Sequence, residues 1–132
     1  MDWIIVIGIV LIVMVFSISL FVFIKSRTKK LSKKDSRIIK AELKKIDNLS
    51  NEEKIVTMDK LLDYALGKIG KTGTMHEKLK ESGMVFGDIN GVFKAHRLRN
   101  KIAHEVSVNV LGQEYKEAFK TYTKALKDLG VN

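Results

Sequence analysis

The first part of the chain carries one unbroken apolar run. From Trp3 to Ile24 there are 22 consecutive residues without a charge, nearly all of them Ile, Val, Leu, Phe or Met. About 20 such residues are needed for a helix to cross the ~30 Å hydrocarbon core of a bilayer. A cleaved signal peptide is the competing interpretation, but Asp2 stands where basic residues are usual, and no small-residue cleavage site follows. Residues 1–24 are therefore predicted to be a transmembrane anchor.

Beyond residue 34 the apolar residues adopt a helical spacing. A first helix is predicted from Asp35 to Ile46. Ser50 and Glu53 have the spacing of a capping box, which marks the start of a second helix. The apolar residues of this second helix recur every three or four positions: Ile55, Met58, Leu61, Leu62, Ala65, Leu66 and Ile69. The pattern ends at Gly70.

Three more helices are predicted by the same criteria. Thr74 and Glu77 form a second capping-box pattern, and the short helix that follows should end at Gly83. A long helix is predicted over residues 88–104 and a last one over residues 112–129. No alternating pattern typical of a β-strand competes with these helices.

The predicted fold class is therefore all-α. A single N-terminal transmembrane helix is followed by a basic juxtamembrane tether over residues 25–34 and a small helical bundle over residues 35–132. A bundle of this size buries a limited core, so we also expect a homodimer that buries a further face.

Positive charge is concentrated directly after the apolar run. The formal net charge is +9, and residues 25–47 hold ten basic residues against three acidic ones. Because basic residues flank the cytoplasmic end of membrane helices, the bundle is predicted to be cytoplasmic, with the N-terminus outside the inner (cytoplasmic) membrane. The absence of cysteine agrees with a reducing compartment. The residues expected to contact the membrane surface are Lys25, Arg27, Lys29, Lys30, Lys33 and Lys34. An RNA-binding arm is the alternative use of this basic strip.

The helix predicted over residues 88–104 has polar residues on its apolar side. At 100° per residue, His96 and Asn100 fall in the middle of that side, Arg99 falls within it, and His104 lies near its edge. An unpartnered buried polar group costs about 1–3 kcal/mol, so these residues must find partners or face a cleft or a subunit interface. Arg99 and His104 diverge by about 140° on an ideal helix. They would meet only in a groove, for example one formed by two subunits or at a frayed helix end.

The string from Arg99 to Glu105, Arg-Asn-Lys-Ile-Ala-His-Glu, resembles the Arg-x4-6-His motif of HEPN domains. These domains are small helical bundles, frequently dimeric, and many are metal-independent ribonucleases. The resemblance extends over about residues 35–129, and it implies that Arg99 and His104 are the catalytic pair. Asn100, His96 and Glu105 would be supporting residues. His supplies a general base or acid near neutral pH, and Arg stabilises charge on the phosphoryl oxygens. The 2′-hydroxyl of RNA would then be the nucleophile, with a cyclic phosphate as product.

A second hypothesis uses the same residues structurally. In a noncatalytic interaction or scaffold module, Arg99, Asn100 and His104 would form a buried network with Asp63, Tyr64 or Glu105 and hold the bundle or dimer together. The partner would then be an unidentified protein at the membrane rather than RNA. No cofactor is predicted, and no metal site either, because His96 and His104 are two turns apart, about 12 Å along the helix axis.

Overall fold

The computed structural model of the chain describes residues 2–27 and 29–132, without the side chains of residues 25–27. The predicted membrane contacts of Lys25 and Arg27 therefore lie outside the described residues. Within the described residues the fold is all-α, as predicted, with six helices and no strand. The helices are α1 (Trp3–Arg27), α2 (Lys33–Leu43), α3 (Asn51–Lys68), α4 (Met75–Glu81), α5 (Ile89–His104) and α6 (Gly112–Asp128).

Helix α1 stands apart from the bundle. Its segment Trp3–Ile24 is long and apolar enough to cross a membrane. An N-terminal signal sequence can have the same length and composition. No residue of this segment is buried within the described structure, and among the described helices α1 packs against no other. An exposed apolar surface of this size is typical of a region that contacts a membrane or another protein.

Helix α3 is the centre of the bundle, and its buried residues span nearly half of its circumference. It packs against α2, α4, α5 and α6. Its fully buried side chains Ile55, Leu62 and Leu66 meet Tyr122, Leu126 and Leu129 from the last part of the chain within one continuous core. Helix α5 packs against α3, α4 and α6, so the motif helix lies on one side of α3.

The ends of the helices follow the predicted signals. Both capping boxes are present: the hydroxyls of Ser50 and Thr74 accept from the backbone N–H groups of Glu53 and Glu77, whose carboxylates accept in return. Gly130 adopts a φ of 108° after α6. This left-handed conformation lets the next residue donate its N–H back to Leu126, which closes the end of the helix.

The segment between α1 and α2 differs from the predicted tether. Helix α1 continues to Arg27, and α2 begins at Lys33 because the hydroxyl of Ser32 accepts from the N–H of Asp35. Helix α2 therefore starts earlier than the predicted residue 35 and ends at Leu43 rather than Ile46. The N–H of Leu31 donates to the carbonyl of Leu129 at 2.9 Å, which fixes the end of the connection to the bundle.

Candidate functional site

A buried carboxylate, Asp59, joins the three central helices of the bundle. It lies on α3 and is only 3% exposed. Its Oδ1 accepts from the hydroxyl of Tyr122 on α6 at 2.8 Å and lies 2.8 Å from Nδ1 of His96 on α5. Its Oδ2 lies 3.4 Å from Nε of Arg99, also on α5. A buried carboxylate is tolerated here because its partners replace the hydrogen bonds to water that it loses on folding.

The side chains of α5 extend this network outward from Asp59. Nη1 of Arg99 donates to Oδ1 of Asn100 at 3.1 Å, which orients the amide so that its nitrogen lies 3.3 Å from Nε2 of His96. The amide then donates to Nε2, and His96 carries its proton on Nδ1, towards Asp59. His96, Arg99 and Asn100 thus have mutually consistent donor and acceptor roles.

Arg99 is held at the boundary between the core and solvent. Its side chain is 28% exposed, whereas that of Asp59 is 5% exposed. Its buried Nε lies within ion-pair distance of Asp59 but lacks a hydrogen-bond partner among the described atoms. Asp59 therefore attracts the guanidinium by charge, while about a quarter of the Arg99 side chain stays exposed.

Tyr122 closes the network from α6. Burial raises the pKa of its hydroxyl well above the ordinary value of 10.0, and the neighbouring Asp59 charge raises that pKa further. The hydroxyl therefore stays protonated and donates to Asp59 throughout the physiological range.

His104, the other predicted catalytic residue, is placed very differently. It is the last residue of α5 and is exposed, and no described side chain forms a hydrogen bond, ion pair or ring contact with its imidazole. Glu105 follows as the exposed C-cap, with its backbone N–H donating to Lys101. The structure therefore brings Arg99, Asn100 and His96 together and leaves His104 and Glu105 in solvent, without a contact between Arg99 and His104.

The segment that follows the motif is tied back to α3 at one point. The N–H of Val110 donates to Glu52 at 3.1 Å, and this backbone hydrogen bond is the main reason that the pKa of Glu52 lies below its ordinary value. Val106 and Leu111, by contrast, are exposed on either side of this point. An exposed imidazole is thus followed by exposed apolar residues.

The buried carboxylate was not among the predicted partners of the motif. Two of the predicted partners are engaged elsewhere: Asp63 accepts from Lys78 at 2.9 Å, and Tyr64 donates to Asp35. The prediction that they complete the network is therefore wrong, and the third candidate, Glu105, is exposed. These side chains lie on the outer part of α3 or beyond α5, whereas Asp59 points between α5 and α6.

A signal for Asp59 exists in the sequence. With Ile55, Leu62 and Leu66 it forms a series with spacings of four, three and four residues, which is one buried stripe of a helix. An acidic residue in such a stripe needs a partner in the same way as His96 and Arg99. Tyr122 gave no comparable signal, because a tyrosine on an apolar face is compatible with ordinary core packing.

A groove of about 550 Å³ lies between α5 and α6, apart from the network. Val92, Ala95 and Ala118 contribute to its apolar lining, and Arg97 and Lys101 lie among its charged residues. Neither Arg99 nor His104 lines it. This groove therefore does not include the two predicted catalytic residues.

The described residues contain no group of three or more His, Cys, Asp or Glu side chains placed to hold a metal ion. Comparisons of the chain with models of known families, with curated proteins and with solved structures find no match.

Proposed function

We propose that this chain is a membrane-tethered, HEPN-like helical module that cleaves RNA without a metal ion, using Arg99 and His104. The observation that supports this proposal is the contrast within the motif. Arg99 is held in place by Asp59 and Asn100, whereas His104 is exposed and without a partner among the described side chains. A cation fixed before the substrate arrives and an unengaged imidazole are the two groups that such a cleavage requires.

The tether in this proposal is α1. Its apolar segment has the length of a membrane-spanning helix, and the bundle covers none of it. A cluster of basic residues follows the segment directly, so the bundle is assigned to the cytoplasmic side of the inner membrane.

The chemistry requires two copies of the chain. In one copy Arg99 faces Asp59 and has no contact with His104. A homodimer in which the two α5 helices approach each other would place His104 of one protomer near Arg99 of its partner. His104 would then take the proton of a 2′-hydroxyl as the 2′-oxygen bonds to the phosphorus. Arg99 would stabilise the charge that develops on the phosphoryl oxygens, the bond from phosphorus to the 5′-oxygen would break, and water would protonate the departing 5′-oxygen. The exposed Val106 and Leu111 support such an interface, since they lie in the segment that follows His104 and would be covered by a second copy.

A noncatalytic interaction module is the second candidate function, and a specific observation favours it. Asp59 offsets part of the charge of Arg99, and hydrogen bonds within the bundle account for His96 and Asn100 without any substrate. In that case the network would hold α3, α5 and α6 together, and the exposed end of α5 would contact a protein partner at the membrane.

The test is RNA cleavage by the full chain in detergent, with single-stranded RNA of mixed sequence and with EDTA present. His104→Ala is compared with His76→Ala, which removes another exposed histidine outside the motif. Loss of a general base lowers the rate by about 10²–10⁴-fold. We expect that loss for His104→Ala alone, together with cyclic phosphate at the wild-type product ends. A folded, dimeric wild type that leaves RNA intact would contradict the proposal and favour the interaction module.

A further inference from the structure

Helix α2 presents a row of cations on the side that α3 does not cover. The row consists of Lys33, Arg37, Lys40 and Lys44, which are spaced by four, three and four residues. They therefore fall within an arc of about 60° on an ideal helix. Lys34 lies beside this row. All five side chains are exposed, and we call them the cationic face of α2.

The charges of the cationic face are not neutralised within the bundle. No described acidic side chain forms an ion pair with any of its five members. The two acidic residues of α2 are engaged elsewhere: Glu42 pairs with Lys45, and Asp35 accepts from the hydroxyls of Ser32 and Tyr64. The face is therefore a surface of one sign that has no ion-pair partner among the described residues.

The connection to α1 keeps this face close to any membrane that α1 crosses. Six residue steps separate the end of α1 at Arg27 from the start of α2 at Lys33. Even a fully extended chain covers only about 20 Å in six steps. Leu31, within the connection, is moreover hydrogen-bonded to Leu129 just after α6, so the bundle lies close to the connection.

We propose that the cationic face of α2 docks on anionic lipid headgroups of the bilayer that holds α1. The inference rests on the membrane anchoring of α1 that belongs to the proposed function. Each Lys or Arg near an anionic surface strengthens binding about fivefold, and five of them act together here. Helix α2 thus lies along the membrane surface and forms the base of the bundle.

This docking fixes which side of the bundle faces the aqueous phase. Helix α2 packs against α3, whereas α5 packs on α3 without contacting α2. With the outer side of α2 on the membrane, α3 lies above it. The N–H of Gly87, just before α5, donates to Asp128 beside the connection, so the opposite end of α5, which carries His104, lies away from the connection. The exposed imidazole is then accessible to a large soluble substrate or partner.

The absence of cysteine makes this orientation directly measurable, because one introduced cysteine carries one label. Ala41→Cys places a polarity-sensitive fluorophore beside the cationic face without removing a charge, and Ser107→Cys places it near His104. The full chain is reconstituted in nanodiscs of phosphatidylcholine with or without phosphatidylglycerol. We expect the label at Ala41, but not at Ser107, to shift to the blue and to be quenched by headgroup-spin-labelled lipid only when phosphatidylglycerol is present.

A charge-matched pair of triple variants tests the cause. Replacing Arg37, Lys40 and Lys44 by Gln should weaken the docked state about 100-fold, since three cations are lost. Replacing Lys101, Lys116 and Lys120 by Gln removes the same net charge from α5 and α6 and should leave the response at Ala41 unchanged. An equal loss in both variants would overturn the proposal, because only overall charge would then matter.

Three other results would also overturn it and can be told apart. If the chain stays in both kinds of nanodisc but the fluorescence of the label at Ala41 does not change with phosphatidylglycerol, α1 anchors the chain and α2 does not dock. A chain that leaves the phosphatidylcholine nanodiscs shows that the anchor itself has failed. A response to added RNA but not to phosphatidylglycerol would make the face an RNA-binding surface instead.

Discussion

The inner and outer polar residues of α5 differ in whether they have hydrogen-bond or ion-pair partners within the bundle. His96, Arg99 and Asn100 point towards Asp59 and have partners within the bundle. His104, one turn beyond Asn100, is exposed and has none among the described side chains. Substitution of His96, Arg99 or Asn100 should lower the stability of the bundle. Substitution of His104 should affect only binding or reaction with another molecule. The difference thus separates the contribution of the motif to folding from its contribution to function.

The largest expected effect is that of Asp59→Ala. The substitution leaves Arg99, His96 and Tyr122 without their common partner, and breaking a buried charge pair costs about 3–5 kcal/mol. Thermal and denaturant unfolding of the full chain in detergent, followed by circular dichroism, measure the loss. Asp63→Ala on the same helix is the control, because its ion pair with Lys78 is partly exposed and should contribute less than about 1 kcal/mol. Equal losses would contradict the central position of Asp59.

A smaller loss of stability is expected for Arg99→Ala. Asp59 keeps its hydrogen bonds from Tyr122 and His96, so the free energy of unfolding should fall by about 2 kcal/mol. Arg97→Ala, two residues earlier on the exposed side of α5, should change it by less than about 0.5 kcal/mol. The same unfolding measurement decides the point, and a similar effect of the two substitutions would mean that Arg99 has no structural role.

Tyr122→Phe should remove one hydrogen bond to a charged acceptor, worth about 1.5 kcal/mol near neutral pH. Because burial raises the pKa of Tyr122 in the folded chain above 10.0, the unfolded chain loses this proton first. The contribution of the hydroxyl is therefore complete below pH about 10 and is lost as the pH rises further. We expect the stability gap between wild type and Tyr122→Phe to narrow above pH about 10. Tyr115→Phe, the control, removes a hydroxyl that has no hydrogen-bond partner among the described side chains and should change the free energy of unfolding by less than about 0.5 kcal/mol near neutral pH.

Most of the fold could be predicted because local signals and packing agree. The apolar spacing of α3 and α6 and the capping residues Ser50 and Thr74 each predict the helices that form. The start of α2 was less predictable, since Ser32 lies within a run of basic residues that reads as an unstructured tether. A single capping hydroxyl extends the helix into that run.

The candidate site could be predicted only in part. The helical positions of His96, Arg99 and Asn100 indicated that they need partners, and the structure supplies them. The identity of the partner depends on how α3 is rotated against α5 and α6. A sequence periodicity defines faces but not the rotation at which they meet, so spacing places Asp59 in the buried stripe of α3 without showing that it faces His96 and Arg99.

The most direct test is to measure stability and RNA cleavage on the same preparation of His104→Ala. Since His104 has no partner among the described side chains, the free energy of unfolding should stay within about 0.5 kcal/mol of wild type. Cleavage in EDTA should fall at least about 100-fold. Two results would contradict the assignment of His104 to function. One is a loss of stability as large as that of Asp59→Ala, and the other is RNA cleavage by His104→Ala at the wild-type rate.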